Sequence, residues 1–136
     1  VSYAKTNLNL NVEKKDFLHA DEKANFYDVI VMWYYIEHNQ DLTILIDKIK
    51  KMLKPGGILA LSTPNANGIS SRKNRLKYSL RIPIDHYYEL SPYALKNFLE
   101  KEGFTHLKTR FTGIHPKRWI NLPFRFFDPL IGYIMK

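Results

Sequence analysis

The chain has 136 residues, 45% of them apolar and 14% aromatic, and carries 21 Lys and Arg against 13 Asp and Glu, a net charge of +8, with no cysteine. That composition excludes a disordered chain, a disulfide framework, a cysteine nucleophile and a cysteine-ligated metal, and the size suits one compact domain rather than two. No apolar run approaches the roughly 20 residues that span a bilayer, and the N-terminus lacks the basic-then-apolar layout of a signal segment, so a cytoplasmic protein is expected, with peripheral membrane contact left open.

Residues 1–8 read as the last turns of a helix, and the chain starts without methionine and ends on the apolar Ile134-Met135-Lys136, so both ends read as cut from something longer. Residues 10–15 alternate weakly as a first short strand ending at Asp16-Phe17, and residues 19–25 read as a loop or short helix. Residues 26–33 form an almost unbroken apolar run, the pattern of a strand buried on both faces of a parallel sheet. From Asp41 the period changes: Leu42, Leu45, Ile46, Ile49 and Leu53 recur at three- and four-residue spacing, which predicts an amphipathic helix with Asp41 as N-cap.

Lys54-Pro55-Gly56-Gly57 stops that helix, and residues 58–63 predict a second buried strand terminated by Pro64-Asn65. Strand, helix and strand then make a βαβ unit with a right-handed crossover, and the fold class is α/β, a parallel sheet covered by helices. Residues 66–86 read as a long basic connection containing Arg72, Lys73, Arg75, Lys77 and Arg81. Ser91-Pro92 opens a further helix, Ser as N-cap and Pro at the first helical position, which runs to a stop at Gly103. Leu107, Thr109 and Phe111 alternate as another strand, and residues 113–136, interrupted by Pro116, Pro123 and Pro129, form an apolar extension that packs on the domain or on a partner.

Ligands of open α/β sheets sit at the carboxyl ends of the strands. Three ends are available: Asp16-Phe17, then Trp33-Tyr34-Tyr35 with Glu37-His38 just beyond, then Thr63-Pro64-Asn65. A carboxylate beside an aromatic suits an adenine, the oxygen accepting from the exocyclic amine and the ring covering the base; an Asp that caps the next helix over a packed Phe is the structural alternative.

The order of segments is diagnostic at this point. Phe26-Tyr27-Asp28-Val29-Ile30, Glu37-His38, Leu53-Lys54-Pro55-Gly56-Gly57, Ser62-Thr63-Pro64-Asn65 and His86 ahead of a helix ending in Gly103-Phe104 resemble the C-terminal two-thirds of a class I S-adenosylmethionine-dependent methyltransferase. The similarity is greatest to the small-molecule branch that includes the ubiquinone-biosynthesis O-methyltransferases, and it covers residues 1–112 as a partial methyltransferase domain. The resemblance implies a Rossmann-like sheet with helices on both faces, S-adenosylmethionine as cofactor and a small-molecule acceptor. It implies that Asp16 contacts the adenine amine, that Phe17 lies near the ring, and that Met32, Trp33 and Tyr34 face the sulfonium and methionine part. His38 either contacts cofactor or acceptor or orders its loop, and His86 is the candidate base for an acceptor hydroxyl, with a surface histidine as the alternative.

The glycine-rich loop and ribose-binding acid of that family have no match in this sequence, so the sheet is expected to be incomplete, lacking its first two strands, and the chain by itself to bind S-adenosylmethionine poorly. In the family order, 3-2-1-4-5-7-6, residues 10–15 are separated from residues 26–33 by two strands that this chain lacks. An exposed apolar edge would remain, inviting self-association by strand exchange or a displaced N-terminal segment. The five histidines are scattered along the sequence, and no metal site is expected.

The basic segment suits an anionic acceptor or an anionic bilayer, and it is equally the composition of a solvated face. With the apolar tail and Trp119 beside Lys117 and Arg118, it also resembles a peripheral membrane anchor. The rivals from other classes are a nucleic-acid-binding module, since Lys and Arg interleave with Tyr and Phe, and an inactive interaction module; no RNA-binding sheet signature supports the former.

Overall fold

A computed structural model describes residues 1–111 and 131–135. The apolar run becomes β1, Tyr27–Trp33. The amphipathic segment becomes α2, Leu42–Met52, after a short N-terminal helix α1, Ser2–Leu8. Asp41 caps α2 as its side chain predicts, accepting from the backbone N–H groups of Thr43 and Ile44 at 2.9 and 3.0 Å. The chain then enters β2, Leu53–Ser62, which pairs parallel to β1 from Val29↔Ile58 to Trp33↔Ser62.

The Pro55-Gly56-Gly57 turn lies inside β2 and loops out between the Tyr27↔Leu53 and Val29↔Ile58 pairs. Two glycines are needed there for different reasons. Gly56 sits at φ +77, where a side chain is strained, and a Cβ on Gly57 would lie 2.8 Å from the Lys54 carbonyl oxygen. Lys54 Nζ closes the turn on Asp28 at 2.8 Å.

Beyond β2, residues 66–86 depart from a plain loop. They hold two single-turn helices, α3, Ile69–Lys73, and α4, Arg75–Ser79, joined at Asn74, whose side chain accepts from Lys77 N–H at 2.8 Å. Short capped turns carry too few apolar positions to show a period, which is why the sequence pattern conceals them. Next comes α5, Pro92–Lys101, with Ser91 as N-cap, and then β3, Phe104–Lys108. The strand expected from Leu107 to Phe111 therefore begins three residues earlier, because Gly103 at φ +92 turns the chain so that Phe104 enters the core.

The last strand, β4, Ile131–Met135, falls within the segment read as an extension beyond residue 112; it lies between β2 and β3, antiparallel to both. The remainder of that segment, Lys117, Arg118 and Trp119 included, lies outside the described residues. The sheet order is β1-β2-β4-β3, the 4-5-7-6 part of the order that the resemblance implies, and the fold is a Rossmann-like α/β sheet.

Residues 10–15 are a correction. They join no ladder, Leu10 is exposed, and Lys15 pairs with Glu13 at 2.8 Å and with Glu22 instead. Local alternation cannot make a strand without a partner edge. β1 is an edge strand among the described residues.

The core is one-sided. Leu45, Ile46 and Ile49 of α2 and Leu95 and Leu99 of α5 pack with Met32, Leu59, Leu61 and Phe104 in one cluster. On the opposite face of β1, Val29, Val31 and Trp33 remain 49%, 49% and 53% exposed.

Gly57→Ala is expected to destabilise the full-length protein by about 1–3 kcal/mol, because the new methyl meets backbone rather than a movable side chain. The midpoint of urea unfolding checks this, and an unchanged midpoint would contradict the close approach.

Candidate functional site

The carboxyl ends of β1 and β2 lie side by side, and the ladder runs one step further: Tyr34 N–H donates to the Ser62 carbonyl at 3.0 Å. Tyr34 then adopts φ +49, left-handed for a bulky residue, and the chain turns into the 3₁₀ segment Ile36–His38. Such a conformation costs about 1–2 kcal/mol. It directs Glu37 and His38 back under the strand ends. Of the residues assigned from sequence, Trp33 and Tyr34 are half-exposed at this end, whereas the Met32 side chain is packed in the core behind it.

Asp16 and Phe17 form a turn docked on the same end. The Phe17 ring meets Tyr35 edge-on at 6.2 Å, and Lys48 of α2 reaches across to donate to the carbonyls of Leu18, at 3.1 Å, and Ala20. The Asp16 carboxylate accepts from Leu18 N–H at 3.0 Å and from His19 Nδ1 at 2.8 Å. His19, then the Leu18 N–H, hold its carboxyl below the usual range. Burial, reinforced by the charge of Asp16, pushes the Tyr35 phenol up. A carboxylate offers about four lone-pair directions, so Asp16 can accept a further donor from a ligand above the turn.

His38 and His86, 48 positions apart, meet edge-to-face with ring centroids 4.6 Å apart. The link between their segments is backbone: Tyr87 N–H donates to the Glu37 carbonyl at 2.9 Å. Each imidazole is held at Nδ1. His38 Nδ1 contacts the side chain and the carbonyl of Asp85 at 3.1 and 3.2 Å, and His86 Nδ1 contacts Glu89 Oε1 at 3.0 Å. A carboxylate oxygen only accepts, so His86 Nδ1 is the donor in this contact. The second Glu89 oxygen accepts from the Tyr78 hydroxyl. Burial, then the Glu89 carboxylate, push the Tyr78 phenol up, so it stays a donor.

His86 and Glu89 line a cavity of about 770 Å³ whose other walls are Pro64, two residues past β2, residues of α3 and α4, and Arg81, Ile82 and Pro83. Glu89 and Tyr78 were not legible as site residues in the sequence; a Glu three positions after a His was the only signal.

Glu37 is fully buried, and neither carboxylate oxygen has a hydrogen-bond partner among the described residues; Ser62 Oγ and Thr63 Oγ1 nearby are in the same condition. A buried carboxyl without a partner is costly while ionised, and a proton, a hydrogen-bond donor or a cation relieves that cost. Glu37, His38 and His86 offer ligand atoms that all lie within 4.8 Å of one another. The fold thus gathers a carboxylate and two imidazoles, a donor set that suits Zn²⁺ or Mn²⁺, from histidines that the sequence leaves scattered. A cation held there would take up the His86 lone pair that a proton would otherwise occupy, so metal binding and proton acceptance at His86 exclude each other.

In chelator-treated full-length protein, Glu37→Gln is expected to be more stable than the wild type by about 1–3 kcal/mol, since it removes the uncompensated charge. Saturating Zn²⁺ or Mn²⁺ should close that gap by stabilising the wild type alone. Identical melting temperatures with and without the cation would remove these groups from metal binding.

Comparison with known proteins agrees with the geometry. A family model described as a methyltransferase domain matches residues 2–109. The chain is 33% identical over 104 residues to the ubiquinone biosynthesis O-methyltransferase of Aliivibrio fischeri, covering 71% of this chain and 43% of that protein. It is 27% identical over 108 residues to the enzyme of the same name from Bartonella tribocorum, covering 75% and 44%. The chain therefore spans less than half the length of these curated relatives. Among solved structures, an S-adenosylmethionine-dependent methyltransferase of Thermotoga maritima superposes with a TM-score of 0.72 at 18% identity, over 98% of this chain and 69% of that one. The magnesium protoporphyrin IX methyltransferase of Synechocystis, solved with bound S-adenosylhomocysteine, gives a TM-score of 0.57 at 14% identity, over 90% and 49%. From the fold, the strand order and the family match together, the chain belongs to the class I S-adenosylmethionine-dependent methyltransferase family.

Proposed function

We propose that the protein to which this chain belongs transfers a methyl group from S-adenosylmethionine to a hydroxyl of a small acceptor seated in the cavity beside His86. The observation that carries this reading is the His86–Glu89 pair: an imidazole whose Nδ1 is held by a carboxylate oxygen, lining a cavity next to the strand ends. The names of the curated relatives, ubiquinone biosynthesis O-methyltransferases, support oxygen as the receiving atom.

The residues present fit the cofactor at its adenosine end. Asp16 is an exposed, acceptor-only carboxylate beside the Phe17 ring, and Trp33 and Tyr34 stand open at the end of β1. Asp16 and Phe17 would hold the adenine, and Trp33 and Tyr34 would flank the methionine part, with His38 below. When bound, S-adenosylmethionine supplies a methyl carbon made electrophilic by its sulfonium.

The remaining work falls to the chain's own side chains. Displacement is in line, so the acceptor oxygen must be aligned and relieved of its proton. His86 Nε2 accepts that proton. Glu89 fixes the tautomer that makes this possible and faces the imidazolium that results, while Tyr78 keeps Glu89 in place. The half-buried setting of His86 limits competition from water.

In full-length protein supplied with S-adenosylmethionine and a panel of small phenolic and alcoholic acceptors, His86→Ala is expected to lower kcat by about 10²–10⁴-fold. Glu89→Gln should cause a smaller loss, with cofactor binding unchanged in both. Asp16→Ala should instead weaken S-adenosylhomocysteine binding, measured calorimetrically, by about tenfold, the loss of a single good contact. Turnover of His86→Ala equal to wild type across pH would remove His86 from the mechanism.

A further inference from the structure

The cavity beside His86 has an uneven charge distribution. Lys73 of α3, Lys77 of α4 and Arg81 just beyond it all line it, at four-residue spacing along the chain. One carboxylate lines it with them, Glu89, and that group is already engaged by His86 and Tyr78. Among the described residues, no carboxylate forms an ion pair with Lys73, Lys77 or Arg81, and Glu89 is the one acidic side chain that lines the opening with them. Three cations drawn to one opening repel each other, and that cost is relieved by an anion placed among them. The same cavity has apolar walls in Ile69 and Ile82.

We infer that the acceptor carries an anionic group, a carboxylate or a phosphate, held by Lys73, Lys77 and Arg81 while its apolar body lies on Ile69 and Ile82. This rests on the reading of His86 as the base at the same cavity. Arg81 contributes a planar fork that can grip two oxygens of either anion, and the lysines contribute adjustable point charges. The anion is remote from the reacting oxygen, so its binding energy positions the hydroxyl at His86 and is expressed in KM. Two helices of one turn each are well suited to presenting such a grip. Asn74 caps α4 where it meets α3, and the pair brings three cations, eight residues apart end to end, to one opening.

The test uses full-length protein and matched acceptors: a hydroxybenzoate, its neutral hydroxybenzamide counterpart and a hydroxyphenyl phosphate. The charged acceptors should show KM at least tenfold below the amide at similar kcat, the better of the two identifying the anion. The advantage should fall as salt is raised. The combined Lys73→Gln, Lys77→Gln, Arg81→Gln variant should lose the advantage and keep its turnover of the amide, and inorganic phosphate should compete with the charged acceptors in the wild type alone.

Equal KM for amide and carboxylate, or an undiminished advantage in the triple variant, would overturn the inference. So would a triple variant that loses binding to phosphatidylglycerol vesicles while its KM values stay at wild type, since the cations would then serve a membrane surface. If none of the acceptors is methylated, the reading of the reaction fails first. Calorimetric binding of hydroxybenzoate against hydroxybenzamide, in wild type and triple variant, then decides the anion site separately.

Discussion

The site depends on the parallel pairing of β1 with β2. Parallel neighbours need a crossover, and α2 supplies it, with Leu45, Ile46 and Ile49 buried against the strands it joins. That arrangement puts two carboxyl ends at the same level, and the Tyr34–Ser62 hydrogen bond extends the pairing just past β1. The left-handed Tyr34 is tolerated because this ladder holds it on one side and the buried Ile36 anchors it on the other. Without the turn, Glu37 and His38 would continue outward, away from His86. The strain at one residue thus converts a plain strand end into a place where titratable groups converge.

Two kinds of long-range contact complete the arrangement. Lys48 reaches from α2 to the carbonyls of Leu18 and Ala20 and so docks the Asp16 turn, while Tyr87 N–H joins the segment of His86 to Glu37. Tyr88 and Gln40 reinforce the second contact: the Tyr88 hydroxyl donates to the Gln40 carbonyl at 2.8 Å, and Gln40 Nε2 donates to the Tyr87 hydroxyl at 2.8 Å. These are specific hydrogen bonds between segments nearly 50 residues apart. They make the position of His86 a property of the folded domain, not of its own loop.

Such contacts explain what was legible in the sequence. Apolar runs and the 3.6-residue period exposed β1, α2 and α5, because burial against a sheet writes itself directly into residue type. Asp41 and Ser91 were readable as caps because capping is local. The order of motifs placed Asp16, Trp33, Tyr34, His38 and His86 near strand ends or on the acceptor side. Residues 10–15 misled because alternation specifies a face and says nothing of a partner. Glu37 was visible as a neighbour of His38, but its complete burial follows from packing by residues far along the chain. Glu89, three residues past His86, gains its meaning only when Tyr78 closes on its other oxygen. His38 and His86 are scattered in the sequence, and sequence distance conceals that the Tyr87–Glu37 link brings them together.

The net charge of +8 acquires a location. Around the body of the sheet, several positive side chains are matched: Lys54 by Asp28, Lys50 by Asp47 and Glu102, Lys15 by Glu13 and Glu22, Lys96 by Glu100. Exposed pairs of this kind add little stability, about 0–1 kcal/mol each, but they cancel the field locally. Residues 72–81 have five positive side chains and no acid, and three of the five, Lys73, Lys77 and Arg81, line the concave opening beside His86. Low-dielectric walls focus such a field into the opening instead of spreading it over the surface. A positive excess spread over the chain in composition is, once folded, partly gathered in three side chains around the opening that also holds His86 and Glu89.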